Sequence, residues 1–149
     1  MKIESDSTPL TREQEGRREV LDPVRRRWVA LTPEEWVRQQ TIRLLHTRYN
    51  YPLELMQVEG AITVNGMTRR CDIVVYRDGQ PWMIVECKKP EVALTQKVCD
   101  QACRYNTVLQ VPYLMLANGK QMIVIEIDYR NSALHPLAEP PLFLNNVNA

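Results

Sequence analysis

Trp82-Met83-Ile84-Val85-Glu86-Cys87-Lys88-Lys89-Pro90 is the stretch that decides the fold. An apolar run passes into an acid, a thiol and a pair of lysines, and a proline ends it. Side chains of a strand alternate between faces, so Met83, Val85 and Cys87 point one way and Ile84, Glu86 and Lys88 the other. The apolar part is greasy enough to be buried on both sides. A carboxylate and an ammonium side by side at the end of such a strand are costly unless they pair or coordinate something. An ion pair on a strand end is the plain structural reading. The preceding strand supplies a second acid and with it a chemical reading.

That strand reads Arg70-Cys71-Asp72-Ile73-Val74-Val75-Tyr76, with Asp72 inside an otherwise apolar run. The turn decides whether Asp72 meets Glu86. A two-residue loop at Asp78-Gly79 pairs Arg77 with Gln80 and sends the two acids to opposite faces. A three-residue loop, Arg77-Asp78-Gly79 with Gly79 left-handed in a bulge, brings Asp72, Ile84, Glu86 and Lys88 onto one face. The odd-length loop is the expectation. On the other side, Asn65-Gly66 is a strong hairpin signal that pairs Val64 with Met67 and sets Glu59 opposite Asp72. Glu59 is either a further acid near the site or a solvent-facing residue at a bend beside Gly60.

Working outward, Thr32-Pro33-Glu34-Glu35 starts a helix: a threonine cap, a proline at the first position and a glutamate completing the capping box. It should run to about residue 47, with Val37, Thr41, Leu44 and Leu45 as its inner stripe. At about 100° per residue, Glu34 projects onto the edge of that stripe, whereas Glu35 has the capping job. Strands are expected over residues 53–64, 68–76 and 81–88, a helix over 92–109, and strands over 111–117 and 121–128. The second helix carries an apolar stripe of Leu94, Val98, Ala102, Val108 and Leu109, with Gln101 and Tyr105 one turn apart in its middle. The tyrosine packs as core and bonds Gln101, or both reach the face of Asp72, Glu86 and Lys88. The order makes one α/β domain, a mixed sheet flanked by helices. Residues 1–27 are expected as a polar, partly flexible arm, 28–129 as the domain, and 130–149 as a Pro/Asn-rich tail that wraps the surface or frays.

The 149 residues suffice for one domain with a core, and a net charge of +1 excludes a global basic field. Contact with nucleic acid must come from local patches. No apolar run approaches a membrane span and no signal core opens the chain, so a cytoplasmic location is expected. The four cysteines lack zinc-site spacing and are read as reduced, half-buried thiols.

Two carboxylates a few ångströms apart repel unless a cation joins them. A hard divalent ion suits them, because Mg²⁺ takes one or two carboxylates, waters and phosphate oxygens. Such an ion lowers the pKa of a bound water and neutralises phosphate charge. Lys88 beside it can orient the water or balance the transition state. This is metal-assisted phosphodiester hydrolysis.

The set Asp72, then Glu86-x-Lys88 after an apolar strand, resembles the PD-(D/E)xK nuclease superfamily. The longer string (Thr32 to Gln39, Arg70 to Tyr76, Glu86 to Pro90, Gln101-x-x-x-Tyr105-Asn106, Asn118-Gly119) is similar to the N-terminal nuclease domain of type I restriction enzyme R subunits, in a small stand-alone form, over about residues 28–127. The resemblance implies a restriction-endonuclease-like core in αβββαβ order and Mg²⁺-dependent (or Mn²⁺-dependent) cutting of DNA. It implies metal ligation by Asp72, Glu86 and the backbone carbonyl of Cys87, with Lys88 as catalytic lysine. A first-helix acid joins them in many members; Glu34 is placed there, with Glu35 in reserve. Gln101 and Tyr105 match an element that positions the lysine or the DNA. Cys71 stands where the motif has proline. Nothing resembles the P-loop of a helicase motor, so coupled translocation does not carry over.

DNA is therefore the expected partner, with Arg25, Arg26, Arg69, Arg70 and Lys89 as phosphate contacts. Restriction-modification or helicase subunits are further candidate partners, and a homodimer stays open. The alternative is a catalytically silent DNA-binding or scaffolding domain of the same fold. A third option is an interaction module anchored by Trp28, Trp36 and Trp82.

Overall fold

The computed structural model describes residues 8–144. Its centre is a six-stranded sheet in the order β4-β5-β6-β7-β8-β9. The strands are β4 (Met56–Val64), β5 (Met67–Arg77), β6 (Gln80–Cys87), β7 (Tyr113–Ala117), β8 (Met122–Asp128) and β9 (Ala133–Leu137). Neighbours are antiparallel except β6 and β7, which run parallel. A parallel pair needs a crossover, and helix α2 (Gln96–Leu109) supplies it. Helix α1 (Pro33–Tyr49) covers the opposite face.

Two apolar layers hold this together. Val37, Ile42 and Leu45 of α1 pack on Ile73, Val75, Met83, Val85 and Met115. Cys99, Ala102, Cys103 and Leu109 of α2 pack on Ile62, Cys71, Val74, Ile84, Leu114 and Leu116. Val85 and Cys87 belong to the first layer and Ile84 to the second, as alternation along β6 requires. The start of α1 follows its signals: Thr32 Oγ1 accepts from Glu35 N at 3.1 Å and Pro33 opens the first turn.

Three expectations need correction. Residues 8–27 are not a loose arm. They contribute to an antiparallel three-stranded sheet of β1 (Thr11–Gln14), β2 (Arg17–Asp22) and β3 (Arg27–Ala30). Glu15 and Gly16, both left-handed at φ 51° and 77°, turn β1 into β2, and Val20 and Asp22 are fully buried. The tail is likewise ordered through residue 144. β9 pairs with β8, Phe143 N donates to Tyr49 O at 2.8 Å, and the Phe143 ring meets Trp82 and Tyr51.

The third correction concerns the β5–β6 turn. Arg77 pairs with Gln80 across a two-residue loop, with Asp78 and Gly79 both left-handed, the geometry an Asp-Gly pair favours. A bulge then shifts the register: Tyr76 pairs with Pro81 but Val75 with Met83, so Trp82 is the extra residue. The bulge, not a longer loop, restores the parity that aligns Asp72 with Glu86.

Neighbouring β4 and β5 share a further irregularity. Their ladder keeps one register from Met56↔Val75 to Val64↔Met67 but skips Glu59 and Asp72. Val58 and Ile73 lie on the α1 side of that point, while Ile62 and Cys71 lie on the α2 side. Glu59 takes a left-handed φ of 54°. Both strands therefore exchange faces together at Glu59 and Asp72.

Candidate active site at the ends of β5 and β6

Past the exchange point, odd-numbered residues of β5 face α2. Arg69 is thereby carried over the end of β6, where its guanidinium pairs with Glu86 and lies 4.4 Å above the Tyr105 ring. Glu86, Lys88, Gln101 and Tyr105 line one cavity of about 260 Å³ with Arg69, Val92, Val98 and Ala102. Glu86 is buried, Lys88 half-buried, Gln101 and Tyr105 exposed on the cavity side of α2. Lys88 is fixed by its backbone, whose N–H donates to Ala117 O at 2.8 Å and extends the parallel pairing.

Asp72 does not line that cavity. Its Oδ2 accepts from the backbone N of Cys87 at 2.7 Å, and its Oδ1 accepts from Arg38 Nη2 at 3.3 Å. The expectation of one shared face thus holds in strand register but not in side-chain contacts. At the exchange point the carboxylate turns toward the α1 side and grips the peptide joining Glu86 to Cys87. The Cys87 thiol packs in the α1 layer, where burial, and then the Asp72 charge, push its pKa up. The backbone N–H of Cys87 is the part bonded to Asp72.

The first-helix acid is corrected too. Glu34 is exposed and Glu35 is buried. The inward arc of α1 is wide, since the helix meets β2 as well as the main sheet, and it includes Glu35, Arg38, Gln39 and Ile42. Capping through its backbone leaves the Glu35 side chain free to face inward. Its Oε1 receives Arg25 Nη2 at 2.6 Å and Arg38 Nη1 at 3.3 Å, and its Oε2 receives Gln39.

Arg25 in turn clasps buried Asp22 at 2.5 Å. Burial raises the Asp22 pKa, but hydrogen bonds from Arg25 and Val24 outweigh it, so the net shift is downward. A continuous chain of charges therefore runs Asp22–Arg25–Glu35–Arg38–Asp72. Arg38 was not singled out from the sequence. Its position one helical turn after Glu35 was the available signal.

The expected phosphate contacts divide. Arg25 is spent inside this chain and Arg69 inside the cavity. Arg26, Arg70 and Lys89 are exposed, and Arg70 lies 3.8 Å from Glu59. Among the described residues no group of three or more His, Cys, Asp or Glu side chains is placed to hold a metal ion. The expected ligand set, two carboxylates and one carbonyl, is smaller than that. None of the described helices is long and apolar enough to cross a membrane. Trp82, one of the three candidate anchors, packs inward against Tyr113 and Phe143.

A mixed sheet between two helices, with an acid and a lysine closing one central strand, defines an α/β domain. The chain belongs to the family Type I restriction enzyme R protein N terminus (HSDR_N), which matches residues 33–141. Strands β1 to β3 precede that segment. A solved fragment assigned as an HsdR subunit of a type I restriction enzyme from Vibrio vulnificus is 23% identical, with a TM-score of 0.36, over 58% of this chain. The chain covers 16% of the length of that one. No curated protein matches.

Proposed function

We propose that this domain is a Mg²⁺-dependent nuclease that hydrolyses phosphodiester bonds of DNA. The observation that carries the reading is the 2.7 Å hydrogen bond from Cys87 N to Asp72. It ties the β5 acid to the end of the strand that carries Glu86 and the Cys87 carbonyl. The donor set is all oxygen, which suits a hard ion. Asp72, Glu86 and the Cys87 carbonyl would hold Mg²⁺, which when bound polarises a phosphate oxygen and acidifies a water. Lys88 sets positive charge beside the scissile phosphate. Gln101 and Tyr105, one turn apart on α2, face the same cavity and orient lysine or phosphate. Glu35 acts on Asp72 through Arg38. Arg26, Arg70 and Lys89 are exposed cations available to the DNA backbone, with salt-dependent binding as the consequence.

One observation favours the silent alternative. Asp72 and Glu86 are each already matched by an arginine, Arg38 and Arg69. A scaffold that only binds DNA would need no ion. DNA cleavage assayed in Mg²⁺ and Mn²⁺ separates the two. The nuclease reading expects cutting that disappears with chelator and in Asp72→Ala and Lys88→Ala. Cutting retained in both variants ends it, and DNA binding indifferent to chelator, without cutting, selects the scaffold.

A further inference from the structure

Arg69 was expected to point at DNA, and the structure aims it inward. Its side chain is only 22% exposed. It meets the Glu86 carboxylate at its tip and the Tyr105 ring with its flat face. Burial lowers its pKa, while Cys71, Tyr105 and Asp72 work in the opposite direction. A guanidinium stays charged at neutral pH in such a setting. The Glu86 carboxylate is thus already paired with a full positive charge through its buried Oε1.

We propose that Arg69 is an internal counter-ion that competes with the divalent cation for Glu86 and yields when a DNA phosphate enters the cavity. This rests on the nuclease reading. Two cations cannot share one carboxylate oxygen without repulsion, so metal affinity is set against the Arg69–Glu86 pair. A phosphate entering between Lys88 and Arg69 offers the guanidinium a bidentate partner of higher charge. Tyr105 provides the surface on which the planar group can slide without leaving its stacking contact. The hairpin tip that bears Arg69 pairs only with β4, because the β5–β6 ladder ends at Ile73↔Val85, so the arginine is not locked to β6 by backbone bonds. Metal and DNA then bind with positive coupling, and by linkage each strengthens the other equally.

The test is calorimetry with Mg²⁺ alone on the full chain, wild type against Arg69→Gln and Arg69→Lys, with circular dichroism to verify folding. The expectation is binding about tenfold tighter in Arg69→Gln, within the usual range of coupling between sites, and near wild type in Arg69→Lys, which keeps the charge. Unchanged or weaker Mg²⁺ binding in a folded Arg69→Gln overturns the proposal and leaves the nuclease reading standing. Absence of Mg²⁺ binding in wild type and both variants removes the two together. A short duplex with a non-hydrolysable backbone should tighten Mg²⁺ binding in wild type and not in Arg69→Gln. Equal tightening in the two overturns the exchange.

Discussion

Replacing Arg38 by Met tests whether the chain of charges from β2 to β5 holds the domain together. The straight methionine keeps most of the apolar stem and removes only the guanidinium. Arg38 touches Glu35 at 3.3 Å, Asp72 at 3.3 Å and Glu59 at 3.7 Å, and its side chain is 8% exposed. Removing one partner of a fully buried pair costs about 3–5 kcal/mol. Here each main acid keeps another donor: Glu35 retains Arg25, and Asp72 retains Cys87 N. Asp72 and Glu59 are also 29% and 46% exposed, so solvent screens their share. The expected loss is therefore smaller, about 2–3 kcal/mol, or roughly 5–10 °C in Tm for a domain of this size. Urea denaturation gives it directly, as a lower midpoint at unchanged slope. A double-mutant cycle with Asp72→Asn should return a coupling of about 1 kcal/mol. A loss below about 1 kcal/mol, in the range of a surface ion pair, would show that the chain of charges is not structural.

Stability should fall in alkali. Burial raises the pKa of Cys87 and Cys71 and pushes Tyr129 up to about 12. The unfolded chain ionises its thiols near about 8.5 and its tyrosines near about 10, so above those values it has released protons the folded chain still holds. The stabilisation is complete below about pH 8 and declines toward about pH 12; a urea midpoint that stays level between about pH 7 and pH 10.5 would contradict this. At Glu59, whose φ is 54°, Glu59→Gly should be more stable than Glu59→Ala by about 1 kcal/mol, the reverse of the order in a regular strand. Comparing the two urea midpoints decides it, and the ordinary order would mean that the left-handed conformation is not required.

The start of α1, the Asn-Gly turn and the buried β6 run could be read from the sequence because each rests on local chemistry: a capping oxygen, a residue tolerant of positive φ, an unbroken apolar stretch. The start of α2 could not: it was expected near residue 92, and the helix begins at Gln96, capped by Thr95. The bulge at Trp82 could not. It lies within an apolar run that looks the same with or without an extra residue. The exchange of faces at Glu59 and Asp72 was hidden for a related reason, since a residue not usually left-handed adopts that conformation under tertiary constraint. That exchange aims Arg69 at Glu86 and turns Asp72 toward Arg38, so strict alternation placed both incompletely. Strands β1 to β3 were obscured by their charge: only Val20, Leu21, Val24, Trp28, Val29 and Ala30 stand as apolar side chains, apart from Pro23, in a polar run between residues 11 and 30, although Glu15-Gly16 marked a turn. Glu34 was preferred to Glu35 because capping was treated as Glu35's sole task, when the cap uses its backbone and leaves the carboxylate at liberty.

The crossing of β4 and β5 also divides the main sheet mechanically. Beyond Ile73 the hairpin leaves its third strand and continues as a two-stranded ribbon, a form that is marginal by itself in water. Ile62 and Cys71 lean on α2 to steady it. The ribbon can therefore open at less than the cost of unfolding the whole domain. Its amides, from about residue 61 to 70, become the early-exchanging end of a sheet whose centre is among the last parts to let go.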